Sequence, residues 1–228
     1  MKGVVIVSGG MDSVTLAYKL KADGNDLHLL TFDYGQKHKK EIHYARKCAE
    51  DLDVPHSVVK MPIFGKGSAL TDGKVAVPEG HYAAPNMAAT VVPNRNAIML
   101  ALAFSLAVSE NCDFVAAGMH AGDHPIYPDC RPDFVRAFET MERFATEGYS
   151  VKGGIKLITP FVDIGKHDIV SIGYGVGVPF KDTWSCYKGE QYHCGKCGTC
   201  VERIEAFELA KVEDPTVYQG ISIPHGRG

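Results

Sequence analysis

The sequence predicts an α/β fold in which a doubly wound parallel sheet carries a small cysteine-rich unit at its C-terminal end. Strand-like apolar runs alternate with helical patterns over the first sixty residues, as in β-α-β-α-β folds. A glycine-rich turn follows the first run directly, and four of the 7 cysteines lie between positions 186 and 200. We therefore expect an α/β domain over residues 1–182 and a four-cysteine unit with a final helix and tail over 183–228.

The predicted elements follow one another as expected for such a sheet. Short apolar runs predict strands over 4–7, 27–32, 57–61, 113–118 and 156–161. Helical patterns follow the first turn and cover 39–52, 97–108, 133–147, a segment from 166 to the glycines at 173–177, and 201–211. Residues 62–92 hold no period, so we expect a long loop that borders the active site as a candidate lid.

The turn after the first strand reads Ser8-Gly9-Gly10-Met11-Asp12-Ser13. Its two glycines tolerate positive φ and leave room for a ligand, and the helix that follows offers unpaired N–H groups. This arrangement suits a phosphate or pyrophosphate, and Asp12 is a candidate metal ligand. No lysine follows the glycines, so the turn is not a Walker A loop, and it is not a G-x-G-x-x-G fingerprint either.

The second motif is the pattern C-x7-C-x2-C-x2-C formed by Cys186, Cys194, Cys197 and Cys200. Four thiolates without an open position are typical of structural Zn²⁺. An iron–sulfur cluster is the alternative, but the C-x3-C-P continuation of bacterial ferredoxins is absent. The sequence therefore favours zinc.

Composition and charge exclude several classes of protein. The net charge of −3 disfavours non-specific nucleic-acid binding. The N-terminal residues do not resemble a signal peptide, and the longest apolar run, 97–108, is too short for a membrane span. The clustered cysteines favour a reducing compartment, so we expect a cytoplasmic protein.

The hexad Ser8–Ser13 resembles the PP-loop of N-type ATP pyrophosphatases, which cut ATP between the α and β phosphates. Taken with the cysteine pattern, the chain resembles the 7-cyano-7-deazaguanine (preQ0) synthase family, QueC. Further matching segments are Thr31–Gln36, Val92–Asn96, Tyr127–Arg131, Thr159-Pro160 and Trp184–Tyr187. Residues 122–126 and the 62–92 loop depart from the family pattern. The resemblance implies an adenine nucleotide alpha hydrolase-like, Rossmann-like fold with a zinc-binding subdomain.

The resemblance also implies an activity. The family converts 7-carboxy-7-deazaguanine and ammonia to 7-cyano-7-deazaguanine, in queuosine or DNA-modification biosynthesis. The carboxylate is adenylated, ammonia gives an amide, and a second ATP drives dehydration to the nitrile. Such a carbon–nitrogen ligase releases AMP and pyrophosphate and uses ATP, Mg²⁺ and structural Zn²⁺. We expect free ammonium as nitrogen donor, a homodimer, and no direct nucleic-acid or membrane partner.

Site residues are assigned from the same resemblance. The candidate catalytic residues are Asp12, Lys166 and Arg95. The candidate ATP-binding residues are Ser8, Gly9, Gly10, Met11, Asp12, Ser13, Val14, Thr15 and Leu16. The candidate substrate-binding residues are Asp123, Tyr127, Asp129 and Arg131, although 129–131 could equally form a helix N-cap segment. Cys130 is expected to be a packed thiol, because acyl-adenylate chemistry needs no covalent sulfur.

Three alternative functions stay open at this point. A variant of the same enzyme would stop at the 7-amido product. A PP-loop tRNA thiolation enzyme would need a reactive cysteine beside the turn and a basic surface. A non-catalytic zinc-ribbon module that binds nucleic acid would show no ATP turnover.

Overall fold

A computed structural model describes residues 1–37, 39–61, 67–148 and 154–220. Residues 62–66 of the predicted loop and 221–228 of the predicted tail lie outside the described residues. Among the helices that are described, none has the length and apolar character needed to cross a membrane.

Within the described residues, the sheet has five parallel strands in the order β3-β2-β1-β4-β5. Their bounds are β1 Lys2–Ile6, β2 Asp26–Asp33, β3 His56–Lys60, β4 Phe114–Ala116 and β5 Lys156–Ile158. Val4 of β1 pairs with His28 of β2 and with Val115 of β4. The strand order reverses between β1 and β4, and a sheet of this kind binds its ligand at the carboxyl ends beside that point. The predicted doubly wound parallel sheet is confirmed.

In the part of the chain that the structure describes, six α-helices connect and cover the strands. They are α1 Met11–Ala22, α2 Lys40–Leu52, α3 Arg95–Ser109, α4 Pro132–Ala145, α5 Lys166–Gly175 and α6 Gly198–Ala210. The predicted start of the last helix at 201 was wrong by three residues. Cys197 takes the N-cap position with extended backbone, so the first turn of α6 lies within the cysteine motif.

The core has two layers because side chains alternate along each buried strand. Val5 and Leu29 pack with α1, α2, α5 and α6 on one face of the sheet. Val4 and Leu30 pack with α3 and α4 on the other. Phe207 of α6 lies in the first layer, so the last helix shares the core of the α/β domain. The division at residue 182 stays a prediction.

The described part of the long loop lies against the cysteine unit. Glu79 forms an isolated bridge with Cys197, and its carboxylate is 2.5 Å from the Lys188 ammonium. The N–H of Gly80 donates to the Lys196 carbonyl at 2.9 Å. These contacts place Glu79 and Gly80 against the cysteine unit, and whether the loop acts as a lid stays a prediction.

Candidate active site and metal centre

Hydrogen bonds of Ser8 and Ser13 hold the two ends of the PP-loop together. The Ser8 N–H donates to Ser13 Oγ at 3.1 Å, and Ser13 Oγ donates to the Gly10 carbonyl at 3.0 Å. Gly10 is the N-cap of α1 and supplies no side-chain cap. The N–H groups of the first helical turn are therefore open to an anion at the positive end of the helix.

Two glycines lie where backbone segments approach each other closely, and the crowding is much greater at Gly9 than at Gly118. Gly9 has φ +90°, and a Cβ there would lie 2.2 Å from the Glu41 carbonyl oxygen. At Gly118, just beyond β4, a Cβ would lie 3.3 Å from the Asp12 carbonyl carbon and the Ser13 nitrogen. The start of α1 thus rests directly on the carboxyl end of β4, at the reversal of strand order.

Two adjoining cavities meet at this edge, with empty volumes of about 780 and 1120 Å³ when open solvent is included. Both are lined by Ser8, Asp12, Glu41, Asp123, Tyr127 and Tyr187. The first cavity reaches towards the cysteine unit and includes Tyr82 and Met87 from the long loop. The second reaches between β1, β2 and α3 and has apolar walls, including Phe32 and Met99.

Lys166 lies between two carboxylates at the first cavity. Its Nζ is 3.3 Å from Asp12 Oδ2 and 2.5 Å from Glu202 Oε2. Burial works to lower the pKa of Lys166, but the charges of Asp12 and Glu202 outweigh it and raise the pKa above its ordinary value. Lys166 is therefore a permanent cation beside the PP-loop.

Asp12 has one carboxylate oxygen without a partner. Oδ2 faces Lys166, whereas Oδ1 is buried and makes no hydrogen bond to any described residue. A buried carboxylate oxygen left in this state is costly unless a ligand satisfies it. Oxygen is the donor that Mg²⁺ prefers, so this atom fits the implied cation.

Arg95 lies at the second cavity among tyrosines. Its guanidinium donates to the Tyr34 hydroxyl at 3.2 Å and lies 5.5 Å from the centre of that ring. Burial raises the pKa of nearby Glu41 to about 7, against the opposing effect of the Arg95 charge. Burial likewise raises the pKa of Tyr127 and Tyr187, which keeps both phenols neutral.

The structure brings only part of the predicted substrate set to the cavities. Asp123 and Tyr127 line both, and the Tyr127 hydroxyl is 2.6 Å from Thr90 Oγ1. Asp129 instead accepts the Asn96 N–H at 2.9 Å, at the start of α3. Arg131 is exposed, donates to the His124 carbonyl at 2.9 Å and takes the N-cap position of α4.

Arg131 therefore takes an N-cap position without a side-chain cap, and Asp129 binds the start of α3. A substrate-binding role for either residue stays a prediction. The neighbouring Cys130 lines the second cavity, and burial raises the pKa of its thiol above the ordinary range. A neutral thiol is a poor nucleophile, so packing is the role that fits Cys130.

Only some of the predicted ATP-binding residues line a cavity, and the others are buried. Ser8, Gly10, Met11 and Asp12 line the first cavity, and Ser13 lines the second. Val14 and Leu16 are buried in the core layer beneath α1 and line neither cavity. Thr15 is fully buried as well. Gly9 lines neither cavity, so direct contact with ATP fits Ser8 and residues 10–13.

Several lining residues were not among the predicted site residues, notably Glu41, His120, Tyr187 and Glu202. His120 follows β4, and a polar residue just beyond a parallel strand is a signal that could have identified it. Glu202 carries no such signal, because it reaches the site only through the packing of α6 on α5.

The four motif cysteines are buried and form one cluster. The ligand atoms of Cys186, Cys194, Cys197 and Cys200 all lie within 4.8 Å of one another, and Cys194 Sγ is 3.9 Å from Cys200 Sγ. A tetrahedral ion with Zn–S bonds of about 2.3 Å separates its sulfurs by about 3.8 Å. The N–H groups of Lys196 and Cys197 point at Cys194 Sγ at 3.4 and 3.3 Å. The cluster could therefore hold a metal ion such as zinc.

Comparisons with known proteins agree with this architecture. The family model described as "Queuosine biosynthesis protein QueC" matches residues 2–211. A 7-cyano-7-deazaguanine synthase of Rhizobium johnstonii is 55% identical over 222 residues, covering 96% of this chain and 92% of the relative. A protein of the same name from Brucella anthropi is 54% identical, covering 96% and 94%.

Solved structures support the fold alone. An NMN synthetase from Francisella tularensis superposes with a TM-score of 0.50 at 16% identity, covering 92% of this chain and 78% of that one. Because the family model covers nearly the whole chain and the sequence relatives are more than half identical, this protein belongs to the QueC family.

Proposed function

We propose that this protein converts 7-carboxy-7-deazaguanine and ammonia to 7-cyano-7-deazaguanine, with release of AMP and pyrophosphate. The relatives that are 54–55% identical carry the name 7-cyano-7-deazaguanine synthase. The observation that carries the proposal is the junction of the two cavities at the PP-loop, where one residue set faces both. Such a junction can hold two substrates that react with each other.

The two cavities suit different ligands. The second lies at the carboxyl ends of β1, β2 and β4, where doubly wound sheets hold nucleotides, and its apolar walls suit adenosine. The phosphates would then reach the uncapped N-terminus of α1. The first cavity, with Asp123 and Glu202 among its polar residues, would hold the deazaguanine acid. The α-phosphate would lie at the junction.

This placement accounts for the first half of the reaction. A carboxylate oxygen of the substrate attacks the α-phosphorus, and pyrophosphate leaves towards the PP-loop N–H groups. Lys166 and Arg95 offset the negative charge that builds on the phosphate oxygens. Ammonia then attacks the acyl carbon, AMP leaves, and the nitrogen loses a proton to give the amide.

The second half uses the same site with a second ATP. The amide oxygen attacks the α-phosphorus, pyrophosphate leaves, and the nitrogen loses one proton. The resulting imidate then loses AMP and its second N–H proton to give the nitrile. Both halves need the same position of the reacting oxygen at the phosphorus, so one binding mode of the heterocycle serves both.

Two metal ions are part of the proposal. Asp12 Oδ1 would hold Mg²⁺, which would supply charge neutralisation on the phosphates. The four-cysteine cluster would hold Zn²⁺ as a structural ion, because all four positions of a tetrahedron are taken by sulfur. Its place at the start of α6 ties the cysteine unit to Glu202, two residues beyond Cys200.

One assay tests the reaction. The protein is incubated with ATP, Mg²⁺, ammonium and 7-carboxy-7-deazaguanine, and the product is identified by mass spectrometry with AMP counted in parallel. The proposal predicts a nitrile and two AMP per nitrile. An amide endpoint with one AMP would identify the variant that stops early, and no AMP with this acid would contradict the whole proposal.

A matched pair of variants separates the site from the fold. Asp12→Asn should lose most AMP formation, whereas Asp133→Asn, at the exposed first turn of α4, should keep it. Equal activity in the two variants would contradict the role of Asp12. The homodimer and the cytoplasmic location are further proposals, and ultracentrifugation at assay concentration tests the first.

A further inference from the structure

His120 is a buried side chain that the proposed chemistry does not yet use. It follows β4 at the carboxyl edge, is 2% exposed and lines the first cavity. Its Nδ1 accepts the N–H of Gly122 at 3.1 Å. A Cβ at position 122 would lie 3.0 Å from that Nδ1 and 3.0 Å from Glu202 Oε1, so glycine leaves the room that this contact needs.

The contact determines which ring nitrogen carries the proton. A backbone N–H can only donate, so Nδ1 must offer its lone pair, and the proton of the neutral ring is on Nε2. Nε2 makes no hydrogen bond to the described residues. The facing carboxylate oxygens, Asp123 Oδ2 and Glu202 Oε1, are 3.6 and 3.9 Å away, too far for a hydrogen bond.

The cavity thus presents one unused N–H donor with a carboxylate on each side. The other charged groups nearby are Lys166 on α5, bonded to Glu202 Oε2, and Asp12 on α1 behind it. Because Lys166 already occupies Oε2, the charged and ring groups left around His120 are its own Nε2–H donor and the acceptors of Asp123 and Glu202.

That pattern is complementary to a lactam edge of a heterocycle. The carbonyl oxygen of a lactam accepts a hydrogen bond, and the adjacent ring N–H donates one. A guanine-type ring has this edge with an additional amino donor, whereas an adenine-type ring has an amino group in place of the carbonyl. In an adenine-type ring, the amino group, itself a hydrogen-bond donor, would face the Nε2–H donor of His120, and no hydrogen bond could form.

We propose, on the basis of the proposed function, that His120 is a specificity-determining residue that selects a 6-oxo ring. Its Nε2–H donates to the C6 carbonyl oxygen of the deazaguanine, and Asp123 accepts from the adjacent ring N–H. The C7 carboxylate lies on the same side of the ring system as that carbonyl, so this binding mode directs it towards Lys166 and the PP-loop. A site built around a buried donor rejects a ligand that leaves the donor unpaired.

The test compares the binding of two heterocyclic ligands by the wild-type protein and two variants. Binding of 7-deazaguanine and 7-deazaadenine is measured by calorimetry, without ATP, for the wild type, His120→Asn and His28→Asn. Asn Oδ1 can still accept the Gly122 N–H, so the first variant removes the Nε2 donor and keeps the loop. His28 is also buried and hydrogen-bonded, to Glu110 and Ser57, but lines neither cavity.

The wild type and His28→Asn should prefer the 6-oxo ring. In His120→Asn that preference should fall about 5- to 10-fold, the value of one neutral hydrogen bond, with the KM for ATP unchanged. Thermal melts of each variant check that the fold is retained. An unchanged preference in His120→Asn, an equal loss for both rings, or no preference in the wild type would overturn the inference.

The outcomes also separate this inference from the proposed function. A wild type that prefers the 6-oxo ring but forms no nitrile would contradict the function and leave the role of His120 standing. A wild type that forms the nitrile, with discrimination unaffected in His120→Asn, would contradict the inference alone.

Discussion

Replacing Gly9 by alanine tests whether crowding of the PP-loop against α2 shapes the ATP site. Gly9 has φ +90°, and a Cβ there would lie 2.2 Å from the Glu41 carbonyl oxygen and 2.9 Å from the Ala45 nitrogen. Both atoms belong to the backbone of α2, so neither can turn away as a side chain could. Either the loop or the first turns of α2 must shift.

Gly24 provides the matched control. It also has positive φ, +81°, but nothing lies within 4 Å of a Cβ built there. Gly24→Ala should therefore cost only the strain of a left-handed backbone, about 1–2 kcal/mol. Gly9→Ala should cost that amount plus an overpacking term, about 2–5 kcal/mol in total.

Function should separate the two variants more clearly than stability. The Gly9 carbonyl accepts the Trp184 N–H at 2.9 Å, so a shifted loop also disturbs the connection to the cysteine unit. We expect ATP affinity to fall at least about tenfold in Gly9→Ala, which corresponds to about 1.4 kcal/mol, and to stay unchanged in Gly24→Ala. Urea unfolding and calorimetric ATP titration measure the two effects. Equal unfolding free energies and equal ATP affinities for the two variants would refute the reasoning.

Three further predictions follow from buried charges and the metal cluster. Asp214→Asn leaves Arg203, its fully buried partner, without a counter-charge and should cost about 3–5 kcal/mol of unfolding free energy. Asp133→Asn, in an exposed pair with Arg136, should cost less than about 1 kcal/mol. Similar costs for the two variants would contradict this. Burial raises the pKa of Glu41 from 4.5 to about 7, so its contribution to stability is complete below pH 4.5 and is lost as pH rises through 7. Glu41→Gln should flatten the pH dependence of urea unfolding in that interval, and an unchanged profile would count against it. Cys197→Ser should remove the bound zinc and lower Tm, whereas Cys112→Ser, a buried thiol outside the cluster, should keep one zinc per chain by elemental analysis.

Much of the fold could be predicted because strong local patterns coincide with the tertiary arrangement. The buried runs that became β1 and β2 are apolar on both faces, as a sheet covered by helices requires. The residues at which strands and helices begin and end were less predictable. The predicted strand 113–118 is β4 over Phe114–Ala116, because the chain leaves the sheet where Gly118 lets α1 approach.

The site could be predicted only where adjacent residues carry the chemistry. The PP-loop and the C-x2-C-x2-C turns are such cases, since each makes its own geometry within a few residues. Arg131 shows the limit, because its place in a matching segment did not reveal that its side chain points to a loop carbonyl and is exposed.

By itself, the sequence determined the parallel α/β class, the glycine-rich turn at Ser8–Ser13 and the four thiols that could hold a metal ion. Each of these is carried by the pattern of side chains and glycines along short stretches of sequence, so no knowledge of distant contacts was needed. Only the tertiary structure decided that Lys166 lies between Asp12 and Glu202, and that Glu202 faces His120. These residues come from separate elements of the chain, and packing of α5 and α6 against the sheet, not sequence proximity, brings their charges and hydrogen-bonding groups together.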